Sequence, residues 1–226
     1  MLNGTKKYWF DKNDDPYTQK RKKQRFIRNR LTGLDFEGEM LDERKSCQIL
    51  FPTLIVKELF RDDVGFRTMQ RFRDALFQRI KDARAYERKR RRMGRPLKDH
   101  ERTIFNDIHG LIWRQEAGGD NGDGNQHLHL VVFVSVSRRD HVSACEELGL
   151  EWERITKWGG FHNGNRYAHS YRNKWGVAIG YLHRDDAEKR GALQKLIGLY
   201  MAKVSQTPID RDDDDKLFGA RKFDSA

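Results

Sequence analysis

The chain predicts an α+β domain: a ferredoxin-like (split βαβ, RRM-like) antiparallel sheet with helices packed on one face, plus a basic N-terminal extension. Three observations carry this. Strand-like and helix-like patterning alternate in the order β-α-β-β-α-β-α. Two neighbouring strands flank a glycine, aspartate and asparagine loop at 118–125, the signature of a hairpin. At 226 residues the chain is long enough to bury a core, as one large domain or a domain with an extension.

Residues 1–46 are polar and strongly basic, with Lys20, Arg21, Lys22, Lys23 and Arg25 followed by Arg28 and Arg30. Phe26, Ile27 and Leu31 give this stretch a narrow apolar face, so it reads as a basic helix or arm preceding a domain at 47–226. Residues 47–59 turn apolar and β-branched, a first strand in which Pro52 suggests an edge or a bulge. From Phe66 to Arg92, apolar residues at Phe66, Met69, Phe72, Leu76, Phe77 and Ile80 fit an amphipathic helix, whose last turns are Arg88, Lys89, Arg90, Arg91 and Arg92. Residues 104–116 give a second strand and Gln126 to Val134 a third. A helix at 140–157, a loop at 158–174, a fourth strand at 175–183 and a helix at 186–204 complete the order. Asp212 to Asp215 reads as a solvated acidic loop.

The formal net charge is +11, which points to a polyanionic partner, nucleic acid first. A membrane is disfavoured, since no apolar run approaches spanning length and the N-terminus lacks a secretory apolar segment. The chain reads as cytoplasmic, with Cys47 and Cys145 as reduced thiols in no zinc-like spacing.

Chemistry concentrates on the third strand. His127 and His129 alternate with Leu128, so both imidazoles project from one face, close enough to hold one cation. The hairpin places Glu116 within reach of His127, and two neutral imidazoles with a carboxylate suit Mg²⁺ or Mn²⁺ with coordination positions left open for phosphate. Tyr200 and Lys203, at i and i+3, share a face of the last helix. A phenol oxygen can attack a phosphodiester if its proton is removed and the phosphate charge is neutralised; Lys203 would favour the phenolate or hold the phosphate.

The order Trp113-x-x-Glu116, glycine-rich loop, His127-x-His129, then Tyr200-x-x-Lys203 resembles the HUH endonuclease superfamily. More closely it resembles inovirus replication initiators and the prophage-encoded YagK/YfjJ C-terminal family, over about residues 49–223. The resemblance implies a rolling-circle replication initiator of a phage, prophage or plasmid in a bacterial cell, nicking single-stranded DNA at an origin and becoming joined to the 5′ phosphate. It makes His127 and His129 metal ligands, Tyr200 the nucleophile and Lys203 its helper, with Glu116 the less secure third ligand. Host helicase and polymerase are then expected partners, since the chain carries no phosphate-loop motif.

For DNA contact, the Lys and Arg of the arm and first helix would track phosphates, with Arg88, Arg90 and Arg91 as candidates. Lys157, Trp158, Arg166, Tyr167 and Arg172 lie in or beside the loop at 158–174, where aromatic, amide and basic groups mix without apolar period. Two rival readings remain at this stage: a non-catalytic module binding single strands on a ferredoxin-like sheet, and a metal-dependent nuclease that activates water without using Tyr200.

Overall fold

In a computed structural model, the described residues are 11–118, 125–171, 174–205, 212 and 215–223. The basic segment winds into a long helix, α1 (Pro16–Arg44), started by the Asp15 carboxylate, which accepts from the Tyr17 and Thr18 backbone N–H groups. Far from standing off as an arm, α1 is built into the core. Phe36, Met40 and Leu41 pack among sheet and helix residues, and Phe26 packs against Ala202 and Val204. Its buried stripe also holds Gly33 and Glu37, which no count of apolar residues would include.

The first expected strand is found as β1 (Ser46–Leu50) and β2 (Pro52–Val56). Both pair with β4 (Gln126–Val134) in one continuous register, Leu50 opposite Val132 and Thr53 opposite His129. Asn165 sits at the break between them: Phe51 N–H donates to its Oδ1 at 2.7 Å, and its Nδ2 donates to Ile49 O at 2.9 Å. Pro52 therefore lies within the sheet, opposite Asn163, with a polar side chain patching the ladder beside it.

The helix expected at Phe66–Arg92 is present as α2. The second strand begins later than its patterning suggests. Thr103 and Asn106 form a capping box that winds the short helix α3 (Ile104–Asp107) before β3 (Ile108–Ala117). Beyond β4 comes α4 (His141–Thr156), capped by Asp140. The stretch expected as a loop at 158–174 contains a strand, β5 (Gly159–Asn163), which pairs with β2. The fourth strand is only β6 (Gly180–His183), paired with β1. The last helix is α5 (Ala187–Lys195) followed by a π-helical turn, Leu196–Met201, and β7 (Phe218–Lys222) adds an unexpected strand beside β3.

The sheet is antiparallel throughout. Its order is β5 and β6 end to end, then β2 and β1 end to end, then β4, β3 and β7. Helices cover both faces, which corrects the one-faced expectation. Leu128, Leu130, Val132 and Val134 of β4 face α2, α3 and α4, while Val131 and Phe133 face α1 and α5. A strand apolar on both parities needs cover on both sides. No helix among the described residues is long and apolar enough to cross a membrane.

Candidate metal centre

β-alternation puts His127 and His129 on the same face as Val131 and Phe133, toward α1 and α5. Register then selects their neighbours. Glu116 lies directly across from His127 on β3, Arg114 across from His129, and Thr53 across from His129 on β2. Glu116 Oε1 is 2.9 Å from His127 Nε2 and 2.8 Å from His129 Nε2. The Tyr200 hydroxyl is 3.0 Å from His129 Nε2, and Lys203 Nζ lies 3.2 and 3.1 Å from the two Glu116 oxygens and 4.8 Å from the Tyr200 ring centroid. All five residues named from the sequence as metal ligands or catalytic groups therefore meet in one cluster.

Neighbouring groups fix the two rings. His127 Nδ1 is 3.0 Å from the Asn125 carbonyl, which only accepts, so that nitrogen carries a proton and donates. In the neutral ring the Nε2 lone pair then faces the Glu116 carboxylate, an acceptor facing an acceptor that a shared cation resolves. His129 Nδ1 is held at 2.9 Å by Thr53 Oγ1, and the Phe51 ring stacks on His129 with centroids 6.2 Å apart. Burial pushes His129 down to about 4, with Glu116 partly opposing the shift, so the ring is neutral near pH 7 and able to ligate.

Glu116 is 1% exposed. Burial alone would raise its carboxyl, but the Arg114 guanidinium beside it outweighs that and holds it well below the carboxylate range. Arg114 Nε donates to Glu116 Oε2 at 2.6 Å, and its Nη2 donates to Ser205 O at 2.6 Å. This guanidinium thereby ties the carboxylate to the chain that leaves the π-helical turn. Burial lowers the Lys203 ammonium, against the pull of Glu116.

The donor set fits a metal ion. One oxygen and two imidazole nitrogens lie within 4.8 Å of one another. Ligand atoms about 2.1 Å from a common ion at right angles are about 3 Å apart, which matches the two Glu116–histidine spacings. No thiol takes part, both cysteines being buried elsewhere, and three protein ligands leave room for others.

The π-helical turn gives Tyr200 its place. Ala202 N–H bonds to Ile197 O, five residues back, and the chain then leaves the helix so that Lys203 turns onto Glu116. Gly33 of α1 permits this approach, since a Cβ there would sit 2.6 Å from Ile197 Cγ2.

The residues singled out for DNA contact divide differently. Arg88, Arg90 and Arg91 belong to the other face and the far end of β3. Arg84, one turn before, donates to Asn106 O, whereas Glu116 lies eight residues beyond Ile108, roughly 26 Å along the strand. Arg91 pairs with Glu87 at 3.0 Å and Arg90 with Glu101 at 3.6 Å, so this end of α2 is tied into its own ion pairs and is not part of the site. Lys157 is the left-handed C-cap of α4 at φ 62°, and Trp158 stacks on Phe60 at 5.7 Å on the α2 face. Arg166 pairs with Glu146 at 3.3 Å. Tyr167 fits the expectation better. It is 48% exposed and stacks at 5.0 Å on His162, which lies opposite Thr53 and so on the face of the cluster. Arg172 lies outside the described residues.

Sequence reasoning missed Thr53, Arg114 and Phe51. Arg114 was findable by alternation alone, two positions before Glu116 and so on its face. Compared with known proteins, the chain matches no family model, no curated protein and no solved structure.

Proposed function

We propose that this chain is an HUH-type endonuclease and strand-transferase, which nicks single-stranded DNA at an origin through Tyr200 and starts rolling-circle replication of a phage, prophage or plasmid. One observation carries the reading: the Tyr200 oxygen lies 3.0 Å from His129 Nε2, itself one of three donor atoms suited to a metal ion. Nucleophile and ligand set come from elements more than seventy residues apart in sequence. The antiparallel strand order supports reading the core as split βαβ, ferredoxin-like, with α1, α5 and β7 as additions.

When bound, Mg²⁺ or Mn²⁺ supplies Lewis-acid polarisation of the scissile phosphate. His127, His129 and Glu116 would hold the ion, with Asn125 O and Thr53 fixing the rings. Lys203, beside the phenol, favours the phenolate. The Tyr200 oxygen bonds to phosphorus, the bond from phosphorus to the 3′ oxygen breaks, and the phenol proton ends on that leaving oxygen. The free 3′ hydroxyl primes synthesis by a host polymerase, with a host helicase opening the duplex in a bacterial cytoplasm. Reversal of the same step rejoins the strand, since an ester is exchanged for an ester.

One observation favours the rival, a non-catalytic single-strand-binding module: Glu116 already has the Arg114 and Lys203 cations as partners, so its charge is compensated within the chain itself. Incubation with single-stranded DNA and Mn²⁺ or Mg²⁺ separates the readings. A protein band shifted by attached DNA, absent in Tyr200→Phe, is the expected outcome. Cleavage without attachment indicates water activation, and binding without cleavage indicates the module.

A further inference from the structure

The basic run at 20–30, with seven lysines and arginines and no acid, matches the run at 88–98 in charge and has no part in the cluster above. The fold brings it alongside. Phe26 packs on Ala202 and Val204, and Asn29 Nδ2 donates to Ala202 O at 3.5 Å, one residue before Lys203. A groove runs here between α1 and the approach to β7, lined by Arg25, Arg28, Asn29, Thr32, Lys216 and Gly219, among others. Phe218 pairs with Arg114 across the β3–β7 ladder, which sets the groove level with the metal-ligand cluster. Asp215 also lines it, but its carboxylate is bound by Arg67 of α2 at 2.6 Å.

We infer that this groove binds the sugar-phosphate backbone of the DNA strand flanking the nick, with Arg25, Arg28 and Lys216 as phosphate contacts. The inference rests on the proposed DNA substrate. The three cations come from two separate elements on the two sides of the groove, and Asn29 and Thr32 add an amide and a hydroxyl. The ring in the wall, Phe218, is 6% exposed, so the lining suits charge neutralisation and not base stacking. Binding here is accordingly insensitive to base sequence and strongly dependent on salt. α1 thus holds the flanking strand while the segment it supports presents Tyr200.

The test measures binding of a fluorescent single-stranded oligonucleotide by anisotropy against NaCl, in EDTA, so that no metal-dependent cleavage enters. The triple variant Arg25→Gln/Arg28→Gln/Lys216→Gln is compared with the full chain and with Arg88→Gln/Lys89→Gln/Arg92→Gln on the far end of α2. Each phosphate contact on a single strand contributes about 0.7 to the slope of log K against log salt, so the groove variant should lose about 2 from that slope. From 50 to 200 mM salt the full chain then loses about twentyfold more affinity than the groove variant. The far-end variant should keep the full slope. An unchanged slope in the groove variant, or an equal loss in the far-end variant, overturns the inference. Since nicking is not measured, a chain that binds through the groove yet never cleaves leaves this inference standing and fails the endonuclease reading alone. A folded groove variant is verified by an unchanged melting temperature; if it melts early, Arg28→Gln/Lys216→Gln gives the same comparison with a slope loss of about 1.4.

Discussion

Replacing Arg114 by methionine tests whether the carboxylate at the centre of the cluster is held by a buried cation. Arg114 is 4% exposed and Glu116 1%, and the substitution removes the 2.6 Å contact to Glu116 together with the 2.6 Å contact to Ser205 O. Stripping one partner from a buried pair costs about 3–5 kcal/mol, because the other charge stays buried without compensation. Lys203 remains within 3.2 Å of both Glu116 oxygens and limits the damage, which places the expected loss near the lower bound. For a chain of this size, about 3 kcal/mol corresponds to a fall in Tm of roughly 6–12 °C. Thermal melts in EDTA read this directly. The double variant Arg114→Met/Glu116→Gln should melt above the single one, since it no longer strands a carboxylate. A single variant within 2 °C of the unmodified chain, or a double variant that merely adds two losses, would refute the reasoning.

Three further outcomes follow from the same geometry. Thr53→Val removes the hydroxyl that holds His129 Nδ1; Mn²⁺ affinity, measured by calorimetry, should fall about 10–100-fold while the Tm barely moves. Gly33→Ala sets a methyl 2.6 Å from Ile197 Cγ2, costing about 1–3 kcal/mol by denaturant titration and slowing nicking by displacing the turn that carries Tyr200. His109, pushed down to about 4 by burial with Arg44 and Arg84 adding to the shift, binds fewer protons folded than unfolded between its ordinary value and that one. Its contribution is complete above about pH 6.5 and is lost as pH falls toward 4, a loss on the order of 3 kcal/mol that His109→Leu should flatten in pH-dependent melts.

The third strand was legible because His127 and His129 alternate with leucines that needed a core, and α2 and α4 because their apolar residues recur at helical spacing. The cluster was legible through one further step, the hairpin that brings Glu116 across from His127. β5 and β7 were not. Gly159-Gly160 carries no side chains to show a period, and Phe218-Gly219-Ala220-Arg221-Lys222 has little apolar content; both are strands because a neighbouring strand offers free ladder groups. The integration of α1 was hidden for a related reason. Its buried positions include a glycine that serves close approach and a glutamate, Glu37, paired with Arg190 at 2.8 Å, and neither registers in a hydrophobic pattern. The π-helical turn left no local signal either, since only the packing of Ile197 against α1 and of Tyr200 toward His129 displays it.

The central claim is that the DNA strand is stored as an ester on Tyr200. After reaction with an origin-bearing single strand and Mn²⁺, digestion with nuclease and trypsin and mass spectrometry should find nucleotide mass on the peptide 196–203, localised by fragmentation to Tyr200. Nucleotide mass on any other residue, or cleaved DNA with that peptide wholly unmodified, would contradict it.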